Sequence, residues 1–410
     1  MTVVYNCPVK FATCSAKKAG YMINRLLGKE LLNLAEWYPV VSVTGPRQSG
    51  KSTLVKYVFS DYEYVNLEDP ATRSRAQADP TGFVSYLRTN TIIDEAQYVP
   101  ELFSAIQARV DESSQMGQFV LSGSQNFQLL CAIKQSLAGR VGIAKLLPLS
   151  CEELNAAGLF SENLMETIIR GSYPRLYVSK VPSKVFYENY LDTYVTRDVV
   201  GYLDVRNEQS FRTFVRVCAA RVGGILNISA LARDVGVSVP TARSWLGMLE
   251  SSYVVTLLRP YSANIGKRLV KSPKLYFYDT GLLCHLLSVK NVVQLVEHEM
   301  RGEIFENFII AERLKHHLNQ LNVCDLMYYR DDSKREVDLI DATDPNCVMV
   351  AEIKSGQTYK TQFARATRKV CETLGSRAVP YVIYGGVGLF FDGEVRVCGA
   401  REFLAGAAVL

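Results

Sequence analysis

The first 150 residues contain short apolar runs that alternate with segments of helical spacing. The run at 39–44 is rich in β-branched residues and predicts a buried strand, and residues 53–59 have the spacing of a helix. Further apolar runs of strand length lie at 64–67, 91–95, 118–121 and 141–147, with a helical stretch at 82–88. This alternation predicts an α/β domain with a parallel sheet over residues 20–150.

The middle of the chain changes to helical periodicity. Residues 151–225 show few strand signals and predict a small helical lid. Residues 227–246 then have the pattern of a helix, a turn at Gly236 and a second helix that Ser238 can cap. Two apolar runs that could form the strands of a wing follow, at 253–258 and 274–278, which completes a predicted winged helix over 226–285.

The order of elements after residue 300 predicts a second α/β domain, similar in size to the first. The pattern gives a helix, three strands, a helix and a last strand, at 302–318, 326–330, 336–340, 348–354, 361–374 and 381–384. This domain is predicted to cover residues 300–400.

Size and composition limit the classes of protein to be considered. A chain of 410 residues has room for two or three domains, and its 21% charged residues and net charge of +5 are ordinary for a globular protein. No apolar run approaches the roughly 18–20 residues that span a bilayer, and the first twenty residues lack a signal-peptide core. We therefore expect a cytoplasmic protein without a membrane segment. The ten cysteines include no C-x-x-C pair, so we expect reduced thiols and no zinc site.

Residues 45–52 match the phosphate-loop pattern G-x-x-x-x-G-K-[ST] at every constrained position. The loop lies between a predicted strand and a predicted helix, as such a loop requires. Backbone N–H groups would then face the phosphates, Lys51 would reach the β- and γ-phosphates, and the Ser52 hydroxyl would bind Mg²⁺. The candidate ATP-binding residues are Gly45, Arg47, Gln48, Ser49, Gly50, Lys51, Ser52 and Thr53.

Two acids end the predicted strand at 91–95, where P-loop enzymes carry their second motif. Asp94 would hold Mg²⁺, largely through water. Glu95 would orient and deprotonate the attacking water. A strand that ends in two acids is common in proteins, but the spacing from the phosphate loop, with a strand–helix unit between them, favours the functional interpretation.

Polar residues follow the next predicted strand, at 118–121, and would lie beside the γ-phosphate because ligands collect at the carboxyl ends of parallel strands. Ser124 is the preferred candidate for this contact, with Ser122 and Asn126 as alternatives. Arg140 closes a predicted helix just before the last strand of this domain. It is either a solvated surface residue or a group that stabilises the charge on a neighbouring subunit's γ-phosphate, which would require an oligomer.

Positive charge is concentrated in the predicted winged helix. Between Arg206 and Lys274 the chain has eleven Arg and Lys against three acids, an excess of eight positive charges where the whole chain has five. We expect DNA contacts from Arg243 on the candidate recognition helix and from a loop cluster of Lys267, Arg268, Lys271 and Lys274. The alternative is a structural arm with a solvated charged face.

The second α/β domain has acids embedded in its predicted strands, where they are costly to bury unless they bind something. Asp338 and Glu352 occupy such positions, and Lys354 lies on the same strand face as Glu352 because side chains alternate with a period of two. Two carboxylates and a lysine can bind Mg²⁺ and polarise a water for phosphodiester attack. Glu306, on the preceding helix, could complete the metal shell.

Several strings in the first half of the chain together resemble the AAA+ ATPase group of uncharacterised bacterial and archaeal proteins. They are Gly45-Pro46-Arg47-Gln48, Ile93-Asp94-Glu95-Ala96-Gln97, Gly123-Ser124, and Gly139-Arg140 followed by Pro148-Leu149. Gly171-Ser172-Tyr173-Pro174 and residues 190–198 resemble the family's helical lid. The resemblance implies that Arg140 occupies the arginine-finger position and that the working unit is a homo-oligomer, such as a hexameric ring.

The C-terminal segment resembles the PD-(D/E)XK nuclease superfamily, in which one strand ends in an acid and the next carries E-x-K. Asp338 matches the acid, Glu352 and Lys354 match E-x-K, and Glu306 matches the helical glutamate. Val337 stands where the family usually has proline. The resemblance implies a restriction-endonuclease-like fold. It leaves two possibilities open: an intact metal site, or a fold that is kept only for binding.

These observations lead to hypotheses from different classes. The first is an oligomeric, Mg²⁺-dependent ATPase that remodels or translocates DNA, with a C-terminal site that binds or cleaves it. Branched DNA is suggested by fold-level analogy with junction resolvases. The second is a nucleotide-controlled assembly switch whose C-terminal domain only docks DNA or a protein partner. The third, a small-molecule kinase, lacks a recognisable acceptor-pocket motif.

Overall fold

Two β-sheets organise the protein, one in the N-terminal third and one in the C-terminal half. The structure is a computed structural model that describes residues 23–123, 136–195, 208–262 and 272–405. Among the helices within these ranges, none is long and apolar enough to span a membrane.

The N-terminal sheet has five parallel strands in the order β2-β3-β4-β1-β5. The strands are β1 (Val40–Thr44), β2 (Glu63–Asn66), β3 (Thr91–Asp94), β4 (Phe119–Gly123) and β5 (Val141–Lys145). All five were predicted within a few residues, and the parallel sheet is confirmed. Because every strand runs in the same direction, the carboxyl ends of β1, β3 and β4 meet at one edge.

Helices cover both faces of this sheet. They are α1 (Leu27–Trp37), α2 (Lys51–Val58), α3 (Pro70–Ala78), α4 (Pro80–Tyr86) and α5 (Leu102–Asp111), with a 3₁₀ turn at Ala96–Tyr98. Ile92 packs into one apolar cluster with Val120, whereas the adjacent Ile93 packs into the other. Successive strand residues therefore bury opposite faces, which explains why these strands read as continuous apolar runs.

Helices follow the first sheet from residue 151, and we call residues 151–195 the helical segment. Its helices are α6 (Cys151–Ala156), α7 (Leu164–Arg170), α8 (Arg175–Val178) and α9 (Ser183–Tyr190), which continues into a π-helical turn at Leu191–Val195. Ser150 and Glu153 form a capping box at the start of α6, in which each side chain accepts a hydrogen bond from the other residue's backbone N–H. The capping box therefore stabilises the N-terminus of α6, where the segment begins.

The predicted helix–turn–helix is also present. After α10 (Glu208–Ala219), α11 (Ile228–Val235) ends at Gly236, whose φ of 75° is in the left-handed region that glycine favours. The side chain of Ser238 then caps α12 (Val239–Ser251) by accepting a hydrogen bond from the Thr241 N–H.

The C-terminal sheet has eight strands, in the order β12-β13-β11-β10-β9-β8-β6-β7. They are β6 (Val255–Pro260), β7 (Lys274–Phe277), β8 (Leu326–Arg330), β9 (Glu336–Asp341), β10 (Val348–Lys354), β11 (Ala378–Tyr384), β12 (Leu389–Asp392) and β13 (Val395–Gly399). The predicted wing strands β6 and β7 do pair with each other in antiparallel fashion. However, β6 also pairs with β8, so the sheet crosses the boundary predicted between the winged helix and the C-terminal domain.

The remaining helices pack against this sheet and against the helical segment. They are α13 (Thr280–Leu286), α14 (Val292–Glu297), α15 (Arg301–Asn319), α16 (Arg365–Leu374), preceded by a 3₁₀ turn at Thr361–Ala364, and α17 (Ala400–Leu404). One continuous apolar core extends from Ile23 and the helical segment through the helix–turn–helix to Leu404. The C-terminal half is therefore joined to the middle of the chain through a shared interior.

Candidate functional site

The parallel sheet brings the predicted nucleotide-binding residues to one edge. The phosphate loop follows β1, Asp94 ends β3, and β4 lies between these two strands. Ser122 on β4 is in register with Asp94 on one side and with Val43 on the other. The sheet thus places Ser122 between the loop and the acidic motif.

The phosphate loop depends on backbone conformations that its glycines permit. Gly45 has a φ of 151°, and a Cβ built on it would lie 2.1 Å from the Leu146 carbonyl oxygen, so any other residue would collide with the backbone just after β5. Gly50 is left-handed, with a φ of 93°, and forms the N-cap of α2 without a side-chain cap. The N-terminus of α2 therefore keeps its amides for an anion, as a phosphate-binding loop requires.

Lys51 is almost fully buried, with 6% of its surface exposed. Its ammonium donates hydrogen bonds to the carbonyl oxygens of Gly45, at 2.9 Å, and Pro46, at 2.8 Å, so it lies across the loop. The hydroxyl oxygens of Ser49 and Ser122 are buried and have no hydrogen-bond partner among the residues that the structure describes. Buried hydroxyls are costly without a partner, and phosphate oxygens would accept hydrogen bonds from them. These residues fit a triphosphate.

The other candidate ATP contacts differ in exposure. Within the loop, Arg47, Gln48 and Ser52 are half-buried, whereas Thr53 is exposed on α2. Gln48, like Gly50, has a positive φ, of 62°. Their contacts with a nucleotide remain predictions.

Asp94 is held in place by a residue that the sequence did not single out. The Tyr64 hydroxyl, on β2, donates a hydrogen bond to Asp94 Oδ2 at 2.7 Å, and the Glu95 N–H donates to Oδ1 at 3.1 Å. Burial, together with the hydrogen bond to Asp94 and its charge, raises the pKa of Tyr64 well above its usual value. Tyr64 therefore stays neutral and orients the carboxylate that would face Mg²⁺.

Glu95 stands directly after β3 in a left-handed conformation with a φ of 53°. Its Oε2 accepts a hydrogen bond from the Gln97 side chain. Glu95 is also the N-cap of the 3₁₀ turn that follows β3. Ser124 and Asn126 lie outside the described residues, so Ser122 is the described candidate for the γ-phosphate contact.

Arg140 lies at the other edge of the sheet from the phosphate loop, because it precedes β5 whereas the loop follows β1. Its guanidinium forms two hydrogen bonds with the Asp111 carboxylate, at 2.5 and 2.9 Å. Arg140 therefore cannot contact a nucleotide bound to its own subunit. Its predicted role as an arginine finger requires a neighbouring subunit and release from Asp111.

The residues predicted to contact DNA differ in where the structure places them. Arg243 is exposed on α12, as a recognition-helix residue must be, whereas Lys267, Arg268 and Lys271 lie outside the described residues. The prediction for Lys274 is wrong. Lys274 is only 3% exposed on β7 and forms ion pairs inside the C-terminal half, so its charge is not available to a phosphate backbone.

The C-terminal half brings together the four residues predicted from the nuclease resemblance, with two more. We call Lys274, Glu306, Glu336, Asp338, Glu352 and Lys354 the C-terminal charge cluster. Lys354 Nζ lies 2.6 Å from Glu352 Oε1 and 3.5 Å from Asp338 Oδ2. Lys274 Nζ lies 2.5 Å from Glu336 Oε1 and 3.4 Å from Glu306 Oε1.

Two carboxyls of the C-terminal charge cluster have raised pKa values. Burial, and then the negative charge of Asp338, raises the pKa of Glu306 to about 8 and that of Glu352 to about 7. The Tyr276 hydroxyl donates a hydrogen bond to Glu306. Four carboxyls against two ammonium groups would leave excess negative charge in a buried place, and protonation relieves it.

The predicted three-carboxylate metal shell is not formed. Among the residues that the structure describes, no three histidine, cysteine or acidic side chains are grouped so that they could hold a metal ion. The physical reason is that lysine ammonium groups lie against Glu306 and Glu352, and that the Ile353 N–H donates to Asp338 Oδ2 at 2.8 Å. Glu352 Oε2 is nevertheless buried without a hydrogen-bond partner among the described parts of the chain.

These pKa values predict how stability depends on pH. A carboxyl whose folded pKa is raised stabilises the protein below its unfolded pKa, near 4.5, and this contribution is lost as the pH rises through 7 to 8. The free energy of unfolding should fall between pH 5.5 and pH 8.5 in both proteins. We expect the fall to be smaller for Glu352→Gln than for wild type, by roughly 1–3 kcal/mol. Urea unfolding at both pH values measures this difference. Glu303→Gln, at an exposed position on α15, is the control, and profiles of wild type and Glu352→Gln that stay parallel would contradict the prediction.

Helix α15 also reaches the helical segment. Glu312 accepts a hydrogen bond from the Cys151 N–H at 2.6 Å. Lys315 donates to the Leu149 carbonyl at 3.1 Å and to the Ser172 hydroxyl at 2.9 Å. The sequence string 171–174 thus has a structural role, because its serine connects α15 to the Asp279 carboxylate that caps α13.

Comparison with known protein families divides the chain into three parts. Residues 38–155 match an AAA domain. Residues 161–292 match a domain of unknown function, DUF8612, and residues 301–402 match another, DUF4143. The AAA match covers the parallel sheet with its phosphate loop, and the DUF4143 match covers most of the C-terminal charge cluster.

A comparison with solved structures finds a partial similarity to the Walker-type ATPase PABY2304 of Pyrococcus abyssi. The TM-score is 0.41 at 15% identity, over 64% of this chain and 94% of that one. A STAND protein with a tetratricopeptide-repeat sensor, PH0952 from Pyrococcus horikoshii, gives a TM-score of 0.27 at 12% identity, over 77% of this chain and 50% of that one.

Relatives in sequence are found in mycobacteria. The uncharacterized proteins Rv2008c of Mycobacterium tuberculosis and Mb2031c of Mycobacterium bovis are each 33% identical over 306 residues, which is 73% of this chain and 67% of theirs. The chain therefore belongs to the family of these two mycobacterial proteins, with an AAA-type ATPase domain at its N-terminal side and a DUF4143 domain at its C-terminal side.

Proposed function

We propose that this protein is a Mg²⁺-dependent ATP hydrolase that acts on DNA and passes the state of its nucleotide site to the middle of the chain. The observation that carries the proposal is the assembly of the phosphate loop, Asp94 and Ser122 at one sheet edge, with buried hydroxyls that lack partners. Bound Mg²⁺ would offset negative charge on the β- and γ-phosphates.

Each residue at this edge has a distinct task in the proposed reaction. Lys51 leaves the loop carbonyls and donates to the phosphates, and Asp94, oriented by Tyr64, faces the metal. Glu95 takes a proton from the attacking water. In an oligomer, Arg140 of a neighbouring subunit would complete the site, and a ring is the arrangement that the family resemblance suggests.

The strand that leads into the phosphate loop contacts the segment that follows the helix–turn–helix. The Tyr253 hydroxyl lies 2.9 Å from Thr44 Oγ1, and Thr44 is the residue immediately before Gly45 of the phosphate loop. Tyr253 is only 3% exposed and has a φ of 57°, a left-handed conformation that is unusual for a tyrosine. A shift of the loop on nucleotide binding would therefore press on the connection between α12 and β6.

DNA is the proposed track or substrate because basic residues collect on the surface of the middle of the chain. Arg243 is exposed on α12. A groove of about 600 Å³ between the helical segment and α14 is lined by four cations and one acid: Arg170, Lys180, Lys184, Lys290 and Glu166. The three lysines are exposed, so they could neutralise phosphates along a nucleic-acid backbone.

For the C-terminal charge cluster we favour a binding role over cleavage. Its ammonium groups already lie against the carboxylates that a nuclease would use to hold metal. This corresponds to the second hypothesis for the C-terminal domain, in which it docks DNA or a protein partner.

The test measures ATP turnover and DNA affinity in parallel. We expect linear, flapped or four-way-junction DNA to stimulate turnover and to remain uncut in Mg²⁺. We expect Lys180→Glu/Lys184→Glu to weaken DNA binding about tenfold in fluorescence anisotropy at low salt, with basal turnover unchanged. Lys29→Glu/Lys360→Glu changes the net charge equally at exposed sites elsewhere.

Three outcomes would count against this proposal. If no DNA binds or alters turnover, DNA is not the partner. If both double variants weaken binding equally, the groove is not the contact surface. If DNA is cut and Glu352→Ala abolishes the cutting, the C-terminal charge cluster is a nuclease site.

A further inference from the structure

Arg25 lies behind the phosphate loop, just before α1, and is 6% exposed. Its guanidinium makes three hydrogen bonds to three separate parts of the chain. Nη1 donates to the Ser49 carbonyl at 2.7 Å, Nη2 donates to the Leu147 carbonyl at 2.6 Å, and Nε donates to Glu153 Oε1 at 2.9 Å. The planar guanidinium holds these three acceptors in a fixed arrangement, which a lysine cannot do.

The contact with Ser49 fixes the orientation of one peptide group in the phosphate loop. The Ser49 carbonyl and the Gly50 N–H belong to the same planar trans peptide, so they point in opposite directions. Because Arg25 binds the carbonyl, the N–H points away from Arg25. Gly50 is the N-cap of α2, so this N–H belongs to the helix end that would bind phosphate.

Through its contact with Glu153, Arg25 also connects the Ser49–Gly50 peptide to the helical segment. Glu153 is buried and also accepts hydrogen bonds from the N–H groups of Leu26 and Ser150, both at 2.9 Å. A Cβ built on Gly50 would lie 3.8 Å from both Arg25 Nη1 and Pro174 Cγ, so residues from two sides enclose this part of the loop. A movement of α6 would therefore be transmitted to the phosphate loop through the Arg25–Glu153 ion pair.

We infer that Arg25 is a positioning residue for nucleotide binding. It orients the Gly50 N–H toward the phosphates. Because Arg25 is paired with Glu153 on α6, this orientation depends on the position of α6. The inference rests on the proposed function, because it concerns the same phosphate loop. It adds that the helical segment regulates nucleotide affinity through one buried ion pair.

The experiment compares Arg25→Gln and Arg25→Lys with wild type in the full-length protein. Equilibrium binding of Mg²⁺·ATP gives the Kd, steady-state hydrolysis gives kcat, and thermal unfolding gives the Tm. Loss of a charge-assisted hydrogen bond to the loop is expected to raise the Kd for Arg25→Gln about tenfold or more, with kcat within about threefold of wild type. Arg25→Lys retains the charge but not the three hydrogen bonds. Its Kd for Mg²⁺·ATP is expected to lie between those of wild type and Arg25→Gln.

Arg313→Gln is the matched control. Arg313 Nε lies 2.6 Å from the buried Asp341 carboxylate, so this variant also removes an arginine from a buried ion pair, far along the chain from the phosphate loop. It is expected to lower the Tm and leave the Kd unchanged. Glu153→Gln is expected to raise the Kd in the same direction as Arg25→Gln, because Arg25 loses its charged partner.

The outcomes separate the inference from the proposed function. If wild type binds Mg²⁺·ATP and both Arg25 variants bind it equally well while their Tm falls, Arg25 has only a structural role and the inference is overturned. If Arg25→Gln does not fold, a wild-type Kd for Arg25→Lys overturns it in the same way. If wild type itself does not bind Mg²⁺·ATP, the proposed function fails before Arg25 is tested.

Discussion

Replacing Lys51 with methionine is expected to abolish measurable ATP hydrolysis and to weaken Mg²⁺·ATP binding severely. Methionine keeps the length and apolar stem of the side chain but removes the ammonium that the proposed mechanism directs at the β- and γ-phosphates. The loss of preorganised charge stabilisation in a buried site predicts a fall in kcat/KM of at least about 100-fold. Steady-state hydrolysis and equilibrium binding of Mg²⁺·ATP measure the two effects separately.

The control for this substitution is Lys29→Met, at an exposed position on α1. Lys51 also donates two hydrogen bonds to carbonyls of its own loop, so Lys51→Met could lower stability as well. Thermal unfolding of both variants therefore accompanies the kinetics. Turnover by a folded Lys51→Met protein within tenfold of wild type would rule out the proposed phosphate loop.

The second large effect is expected from Glu95→Gln. Glutamine has the shape of glutamate but cannot accept a proton from the attacking water, so turnover should fall on the order of 10²- to 10⁴-fold. Affinity for Mg²⁺·ATP should stay near the wild-type value, because Glu95 is not expected to bind the phosphates directly. Single-turnover hydrolysis together with equilibrium binding shows this separation.

Glu101→Gln provides the matched control, because Glu101 is an exposed acid six residues further along the same connection. It should leave both turnover and affinity unchanged. Should Glu95→Gln lose affinity and turnover to the same degree, Glu95 would be a binding residue, and another base would have to be sought at the sheet edge.

The first sheet could be predicted well because its signals are local. Each strand is a short apolar run, and the phosphate loop has its required glycines at fixed offsets. Parallel pairing then determines that Asp94 and Ser122 lie beside the loop. Tyr64 was overlooked because a tyrosine in a strand is ordinary, and only the pairing of β2 with β3 reveals its contact with Asp94.

Long-range contacts account for what the sequence did not reveal. Arg25 meets Ser49 and Glu153 across separations of 24 and 128 residues, and no local pattern predicts such contacts. Lys274 was counted as a surface charge because charge counting does not distinguish an exposed lysine from one in a buried ion pair. Its burial follows from β7 being covered by α15 and joined to a sheet that the sequence divided between two domains.

The nuclease resemblance predicted which residues lie close together, but not that lysines would lie against the carboxylates expected to bind metal. Glu306, Asp338, Glu352 and Lys354 do come together, as the order of helix and strands implied. Strand β7 contributes Lys274 and Tyr276 from outside the resembling segment, and both side chains contact the Glu306 carboxyl. The E-x-K pattern contains no information about β7.

Helix α15 spans 19 residues, a length of about 28 Å, and joins the C-terminal charge cluster at Glu306 to the helical segment at Glu312 and Lys315. Any coupling that this helix transmits between the two places is thermodynamically reciprocal. If a ligand of the C-terminal charge cluster prefers the nucleotide-bound arrangement of the helical segment by some factor, nucleotide must favour that ligand's binding by the same factor. A partner of the C-terminal domain would then act as an effector of the ATPase without approaching it.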